Sequence, residues 1–113
     1  MTVVETPFFL RKAADLLDDS ERSELIAFLG ANPDAGDVIP EAGGVRKIRW
    51  AASGRGKRGG ARVIYYFHSA AFPLFLLTVY AKNQKANLTH SERNDLKKLI
   101  PILVKTYSKG RRP

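Results

Sequence analysis

Cysteine is absent from this chain. Disulfides, thiolate nucleophiles and Cys-based zinc or iron–sulfur sites are therefore excluded. Histidine is scarce: His68 and His90 are the only two, and their separation is not a metal-ligand spacing. No metal and no small-molecule cofactor is expected. No apolar run is long enough to span a bilayer, since the longest, Ala70 to Ala81, is broken by Pro73 and Thr78. The opening Met1-Thr2-Val3-Val4-Glu5 lacks the basic-then-apolar pattern of a secretory signal. A cytoplasmic location without membrane contact is the expectation.

The most informative absence is of carboxylates in the middle of the chain. Between Ala42 and Ser91 there is no Asp or Glu. Residues 1–45 hold nine acidic and three basic side chains, a net of −6. Residues 46–113 hold sixteen basic and two acidic ones, a net of +14. A basic half of this kind is expected to attract a polyanion. The competing reading is a solvated basic face that serves solubility.

What is present is enough for one ordinary core. At 113 residues and 44% apolar composition the chain fits one globular domain. Residues 1–33 read as a short strand, Thr2 to Thr6, and an acidic helical hairpin. Pro7 suits a first helical position, and Phe9, Ala13, Leu16 and Leu17 recur at helical spacing. Asp18 with Glu21 resembles a capping box for a second helix carrying Leu25, Ile26, Phe28 and Leu29. That helix stops near Gly30-Ala31-Asn32-Pro33.

Residues 34–88 change texture. After a turn-rich stretch with a short extended piece, Asp37-Val38-Ile39, three segments are rich in β-branched and aromatic residues: Val45–Ala51, Arg62–Phe67 and Phe72–Ala81. Short joins make them an antiparallel meander. The last two are apolar on both faces, as central strands are. Residues 89–107 read as a C-terminal helix with a Thr89/Glu92 capping box. Leu96, Leu99, Ile100, Leu103, Val104 and Tyr107 form its apolar stripe. Pro101 is expected to kink that helix or end its first part. Residues 108–113 look like a frayed basic tail. The fold expected is α+β: a small antiparallel sheet, made of the N-terminal strand and the meander, packed on the helical hairpin and the last helix.

The chemistry-bearing residues sit on that sheet. In Arg46-Lys47-Ile48-Arg49-Trp50, alternation puts Lys47 and Arg49 on one face and Ile48 and Trp50 on the other. Neighbouring cations are not what a sheet needs for stability. Arg62 opens the next strand, with Ile64 and Tyr66 on its face, and its forked guanidinium matches phosphate oxygens. Lys82 follows the third strand on the face of Thr78 and Tyr80, with Asn83 and Lys85 beyond. If the strand ends meet, Lys47, Arg49, Arg62 and Lys82 converge on one patch.

The loop Ser53 to Gly60 contains a literal G-x-G-x-x-G at Gly54, Gly56 and Gly59. It is not a dinucleotide fingerprint, because a strand follows where a helix is required and no acidic residue lies downstream at the right distance. Arg55, Lys57 and Arg58 instead make a cationic hairpin tip suited to phosphate contacts; a merely mobile loop would read the same way. The acidic residues lie mostly on the helical hairpin as a solvated face, and no Ser stands in a nucleophile-elbow context.

Taken together, strand, helical hairpin, Gly-Gly-Val-Arg-Lys-Ile-Arg, Gly-Lys-Arg-Gly-Gly-Ala-Arg-Val-Ile-Tyr-Tyr-Phe, Leu-Leu-Thr-Val-Tyr-Ala-Lys and a final helix resemble the RelE/ParE toxin superfamily of type II toxin–antitoxin modules. The resemblance runs from about Asp34 to Leu103, is most specific over Gly59 to Phe67, and is nearest to HigB-type members. It implies a small antiparallel sheet packed on helices and, for many members, cleavage of messenger RNA in the ribosomal A site by attack of a 2′-hydroxyl on the adjacent phosphodiester. Relatives of the ParE branch poison DNA gyrase instead. A cognate antitoxin, here HigA-like with a helix-turn-helix, is the implied partner, together with messenger RNA and the ribosome.

The resemblance carries catalytic roles onto Lys47, onto Arg49 with a Lys-to-Arg change, onto Arg62, and onto Lys82 or Asn83 after the last meander strand, of which Lys82 is taken as catalytic. It leaves Arg46, Arg55, Lys57, Arg58, Asn83 and Lys85 as RNA or ribosome contacts. Several relatives place a Tyr or His a few residues past the last meander strand. Gln84-Lys85-Ala86-Asn87 offers neither. A gyrase poison on the same fold and a non-catalytic RNA-binding module are the alternatives.

Overall fold

The computed structural model describes residues 1–51, 60–85 and 87–110. In chain order the elements are β1 (Val3–Glu5), α1 (Pro7–Ala13), α2 (Asp19–Ala31), β2 (Asp37–Val38), β3 (Arg46–Trp50), β4 (Ala61–Tyr66), β5 (Leu74–Ala81) and α3 (His90–Gly110). The strands form one sheet in the order β1-β5-β4-β3-β2. The three-strand meander is present, and the architecture is α+β as expected. The N-terminal strand joins the meander beside β5, parallel to it, and the extended piece at Asp37 supplies a fifth strand on the opposite edge.

Local chemistry sets the helix starts. Thr6 caps α1 by accepting from the Phe9 N–H, with Pro7 at the first position. Asp18 and Glu21 form the reciprocal capping box of α2, at 2.7 and 2.9 Å. Thr89 and Glu92 do the same for α3, at 2.8 and 3.1 Å.

Two apolar layers hold the sheet. On one face Phe9 and Ala13 of α1 and Leu25 and Leu29 of α2 pack on Val63, Tyr65, Leu74, Leu76 and Val79. Ile48 and Trp50 join this layer. On the other face Ile100, Leu96, Leu103 and Val104 of α3 pack on Ile64, Tyr66, Leu77 and Tyr80. Every residue of β4 is buried, which explains its apolar character on both sides. Each large apolar side chain buried here contributes roughly 1.5–3 kcal/mol before entropy is counted.

Two glycines are required by their surroundings. Gly36 donates its N–H to the buried Tyr65 hydroxyl at 2.7 Å, and a Cβ there would lie 2.8 Å from that oxygen. Gly60 turns the chain into β4 at φ +72°, with Trp50 O only 2.7 Å from where a Cβ would stand.

One expectation needs correcting. Pro101 does not end the helix: α3 runs unbroken from His90 to Gly110. Pro101 has no N–H to offer the Lys97 carbonyl, and both residues are exposed. Beyond the proline, Leu103 and Val104 pack on the sheet, and the Tyr107 ring meets Phe72 and Phe75 at 5.2 and 6.3 Å. That packing offsets the proline's cost of about 3 kcal/mol. The first residues of the expected tail, Ser108 to Gly110, are accordingly helical.

Candidate functional site

Strand register brings the predicted cations together. Lys47 pairs with Ile64, which pairs with Thr78. Two residues along, Arg49 pairs with Arg62, which pairs with Tyr80. Lys47, Arg49, Arg62 and Tyr80 therefore share the α3 face of the sheet, while Ile48 and Trp50 point into the opposite core. Directly opposed like charges weaken a strand pair. Fold stability does not call for Arg49 against Arg62.

The four sit at different depths. Among the described residues Arg62 is the one charged member of the buried set, 6% exposed. Its stem is packed, so its guanidinium has little freedom to lose on binding a partner. Arg49 is exposed and Lys47 half-buried. Lys47 Nζ donates to Asn87 Oδ1 at 3.2 Å, which ties β3 to the segment ahead of α3. Lys82 is exposed one residue past β5, and its N–H bonds Gly60 O at 3.3 Å. It thus stands at the end of the sheet where β4 begins, beside the Arg49–Arg62 row.

Other predicted residues fare variously. Asn83 is exposed beside Lys82. Lys85 Nζ meets Glu92 Oε2 at 2.5 Å and lies 4.9 Å from the Tyr80 ring centroid, so it flanks the same row. Arg46 is not brought to this face. It pairs with Tyr65, and its Nη1 donates to Asp34 O and Gly36 O at 3.2 and 2.8 Å. Alternation along β3 already separates it from Lys47. Arg55, Lys57 and Arg58 lie outside the described residues.

Three participants were not singled out from sequence. Tyr80 is 5% exposed, and its hydroxyl has no hydrogen-bond partner among the described residues. Burial raises its pKa above the usual tyrosine value, Arg62 opposes that, and Glu92 adds to it. Asn87 holds Lys47, and only the folded register reveals it. Glu92 read as a capping residue, yet its second oxygen also receives Lys85. Burial opposes ionisation of Glu92, but hydrogen bonds from Lys85 and Thr89 prevail and hold its carboxyl below the usual range.

Adjoining the cations, a groove of about 900 Å³ runs between α1, β5 and α3. Phe8, Leu77, Leu88, Leu99 and Leu103 line it, together with Tyr80, Lys85 and Glu92.

A family model described as RelE toxin of RelE / RelB toxin-antitoxin system matches residues 6–110. The chain belongs to the RelE toxin family. RelE membership makes it a toxin of a toxin–antitoxin system, in a family that generally inhibits translation by cutting messenger RNA. Membership also implies an antitoxin partner. The RelE match covers β3, β4 and β5, and so every residue of the cationic face. Among the described residues no helix is long and apolar enough to cross a membrane.

Proposed function

We propose that this RelE-family toxin, of the HigB-type branch, is a ribosome-dependent endoribonuclease that cuts messenger RNA in the A site. The observation that carries the reading is the row Arg49–Arg62 in register, with Lys47 on the same face. In the reaction the 2′-oxygen forms a bond to phosphorus and the bond to the 5′-oxygen breaks. The 2′-proton leaves with a base, and the departing oxygen takes up a proton. Negative charge grows on the phosphoryl oxygens, and preorganised cations stabilise it.

Arg62, the buried cation of the row, receives the transition-state phosphate. Lys47 serves in proton transfer or on the phosphate. Arg49 and Lys82 orient the substrate. Asn83 and Lys85 extend the surface for RNA, and Arg55, Lys57 and Arg58 hold ribosomal or messenger RNA backbone. A HigA-like antitoxin with a helix-turn-helix is the proposed partner.

Primer extension on translated messages tests the reading: breaks confined to A-site codons are expected on induction. Intact messages with replication halted before protein synthesis would replace it by gyrase poisoning. Steeply salt-dependent RNA binding without any break would leave a binding module.

A further inference from the structure

Glu92 is the first carboxylate after a stretch, Ala42 to Ser91, that holds none. Its carboxylate turns back toward the cationic face instead of outward. Oε2 meets Lys85 Nζ at 2.5 Å while Oε1 accepts from the Thr89 N–H at 2.8 Å. The Glu92 N–H in turn donates to Thr89 Oγ1 at 3.1 Å, so both ends of the residue are fixed by the start of α3. Lys85 is fixed from the other side, 4.9 Å from the centroid of Tyr80. Tyr80 pairs with Arg62. One cation of the patch is therefore already matched with an anion, one ring away from the arginine at its centre.

We propose that Glu92 is an internal counter-ion that competes with RNA phosphate for Lys85 and thereby limits how tightly the site holds its substrate. This rests on the reading of the cationic face as an RNA site. A phosphate arriving beside Arg62 offers Lys85 two or more oxygens in place of the Glu92 carboxylate. Lys85 then changes partners, and Glu92 is left to solvent, where both residues are already part exposed, at 34% and 41%. The exchange costs part of the Lys85–phosphate attraction. It also removes one cation from the count that sets salt dependence, since Lys85 arrives without a mobile counter-ion to release.

Glu92→Gln separates this role from capping. Glutamine at this position still accepts from the Thr89 N–H, but it carries no charge for Lys85. The probe is a labelled messenger RNA on programmed ribosomes, with 2′-deoxyribose at the A-site codon so that bound substrate is not consumed. Wild type, Glu92→Gln, Lys85→Ala and the double variant are titrated at several salt concentrations. Asp95→Asn serves as control, because it removes the same charge three residues along α3.

Glu92→Gln is expected to bind about three- to fivefold more tightly, the scale of a part-exposed ion pair. Its slope of log affinity against log salt should steepen by roughly 0.7, one added phosphate contact on a single strand. Both gains should vanish in the Lys85→Ala background. Unchanged or weaker binding by Glu92→Gln overturns the proposal. So does an equal gain from Asp95→Asn, or a gain that survives Lys85→Ala, since either marks a general field effect. If wild type does not bind programmed ribosomes and Arg62→Ala matches it, the RNA-site reading itself falls and takes this inference with it. Binding that depends on Arg62 but ignores Glu92 overturns the counter-ion alone.

Discussion

Arg62 and Tyr80 stand directly opposite each other across β4 and β5, both buried, on the face that Lys47 and Arg49 share. The aromatic ring gives the arginine a rigid neighbour on one side, and Arg49 gives it a like charge on the other. A buried hydroxyl that has no partner among the described residues, beside a guanidinium opposed by a second arginine, is costly on two counts. The cost is confined to one row of the sheet. Elsewhere β4 and β5 are packed with aliphatic and aromatic side chains. Local conflict inside an otherwise consistent fold is the physical mark of a functional position.

Arg62→Ala should abolish growth inhibition on induced expression and leave a cooperative fold. Arg62→Lys keeps the charge and loses the fork. Its A-site cleavage should fall by about 10²–10³-fold, the usual effect of removing one stabiliser of a developing oxyanion. Circular dichroism of both variants checks that the loss is chemical. Undiminished toxicity of Arg62→Ala would remove Arg62 from the site.

Tyr80→Phe addresses the other half of the pair. Phenylalanine keeps the ring that faces Lys85 and removes a hydroxyl that finds no partner among the described residues. An unsatisfied buried polar group costs about 1–3 kcal/mol. The variant should therefore unfold at a urea concentration equal to or above that of the wild type, by up to about 1 kcal/mol. A loss of stability would mean that the hydroxyl is bonded in solution.

How far the sequence discloses this site depends on the kind of interaction. Alternation along β3 separates Lys47 and Arg49 from Ile48 and Trp50, because a strand has period two and the core takes one face. The same rule places Arg46 with the core, where it binds Asp34 O and Gly36 O, yet its charge alone suggested RNA. The three capped helix starts are local, and two of them are visible as Asp18/Glu21 and Thr89/Glu92. Register is not local. That Arg62 meets Arg49 and Tyr80, that Lys47 meets Asn87, and that β1 runs parallel to β5 depend on pairings set by the whole sheet. Pro101 does not end α3, because the proline rule describes a helix by itself, whereas α3 is held on both sides of the proline by Ile100, Leu103 and Val104.

Lys47 and Asn87 offer a test of positioning. Lys47→Ala should lower cleavage by about 10²-fold, in the range expected for loss of a proton-transfer or charge-stabilising group. Asn87→Ala leaves the ammonium in place but frees it from the 3.2 Å bond, so a smaller loss is expected. In the Lys47→Ala background, Asn87→Ala should add nothing, because residues that act through one another are not additive. Single-turnover cleavage on programmed ribosomes measures all three. Independent, additive losses would show that Asn87 acts on the substrate by another route.

Acid should act on stability through Glu92. Its carboxyl lies below the ordinary value of 4.5 in the folded chain, because hydrogen bonds from Lys85 and Thr89 outweigh the effect of burial. A carboxylate with a depressed folded value contributes stability that is complete above the unfolded value. That contribution is lost as pH falls through the folded value. No change from this group is expected between pH 7 and roughly pH 5.5, a unit above the unfolded value. Below about pH 4.5 the advantage of wild type over Glu92→Gln should shrink with each step of acidification. Urea unfolding of both proteins across that range measures the difference. High salt should reduce it, since the pair is part exposed. A difference that stays constant from pH 7 to pH 3 would mean that the charge of Glu92 is not what separates it from glutamine in the fold.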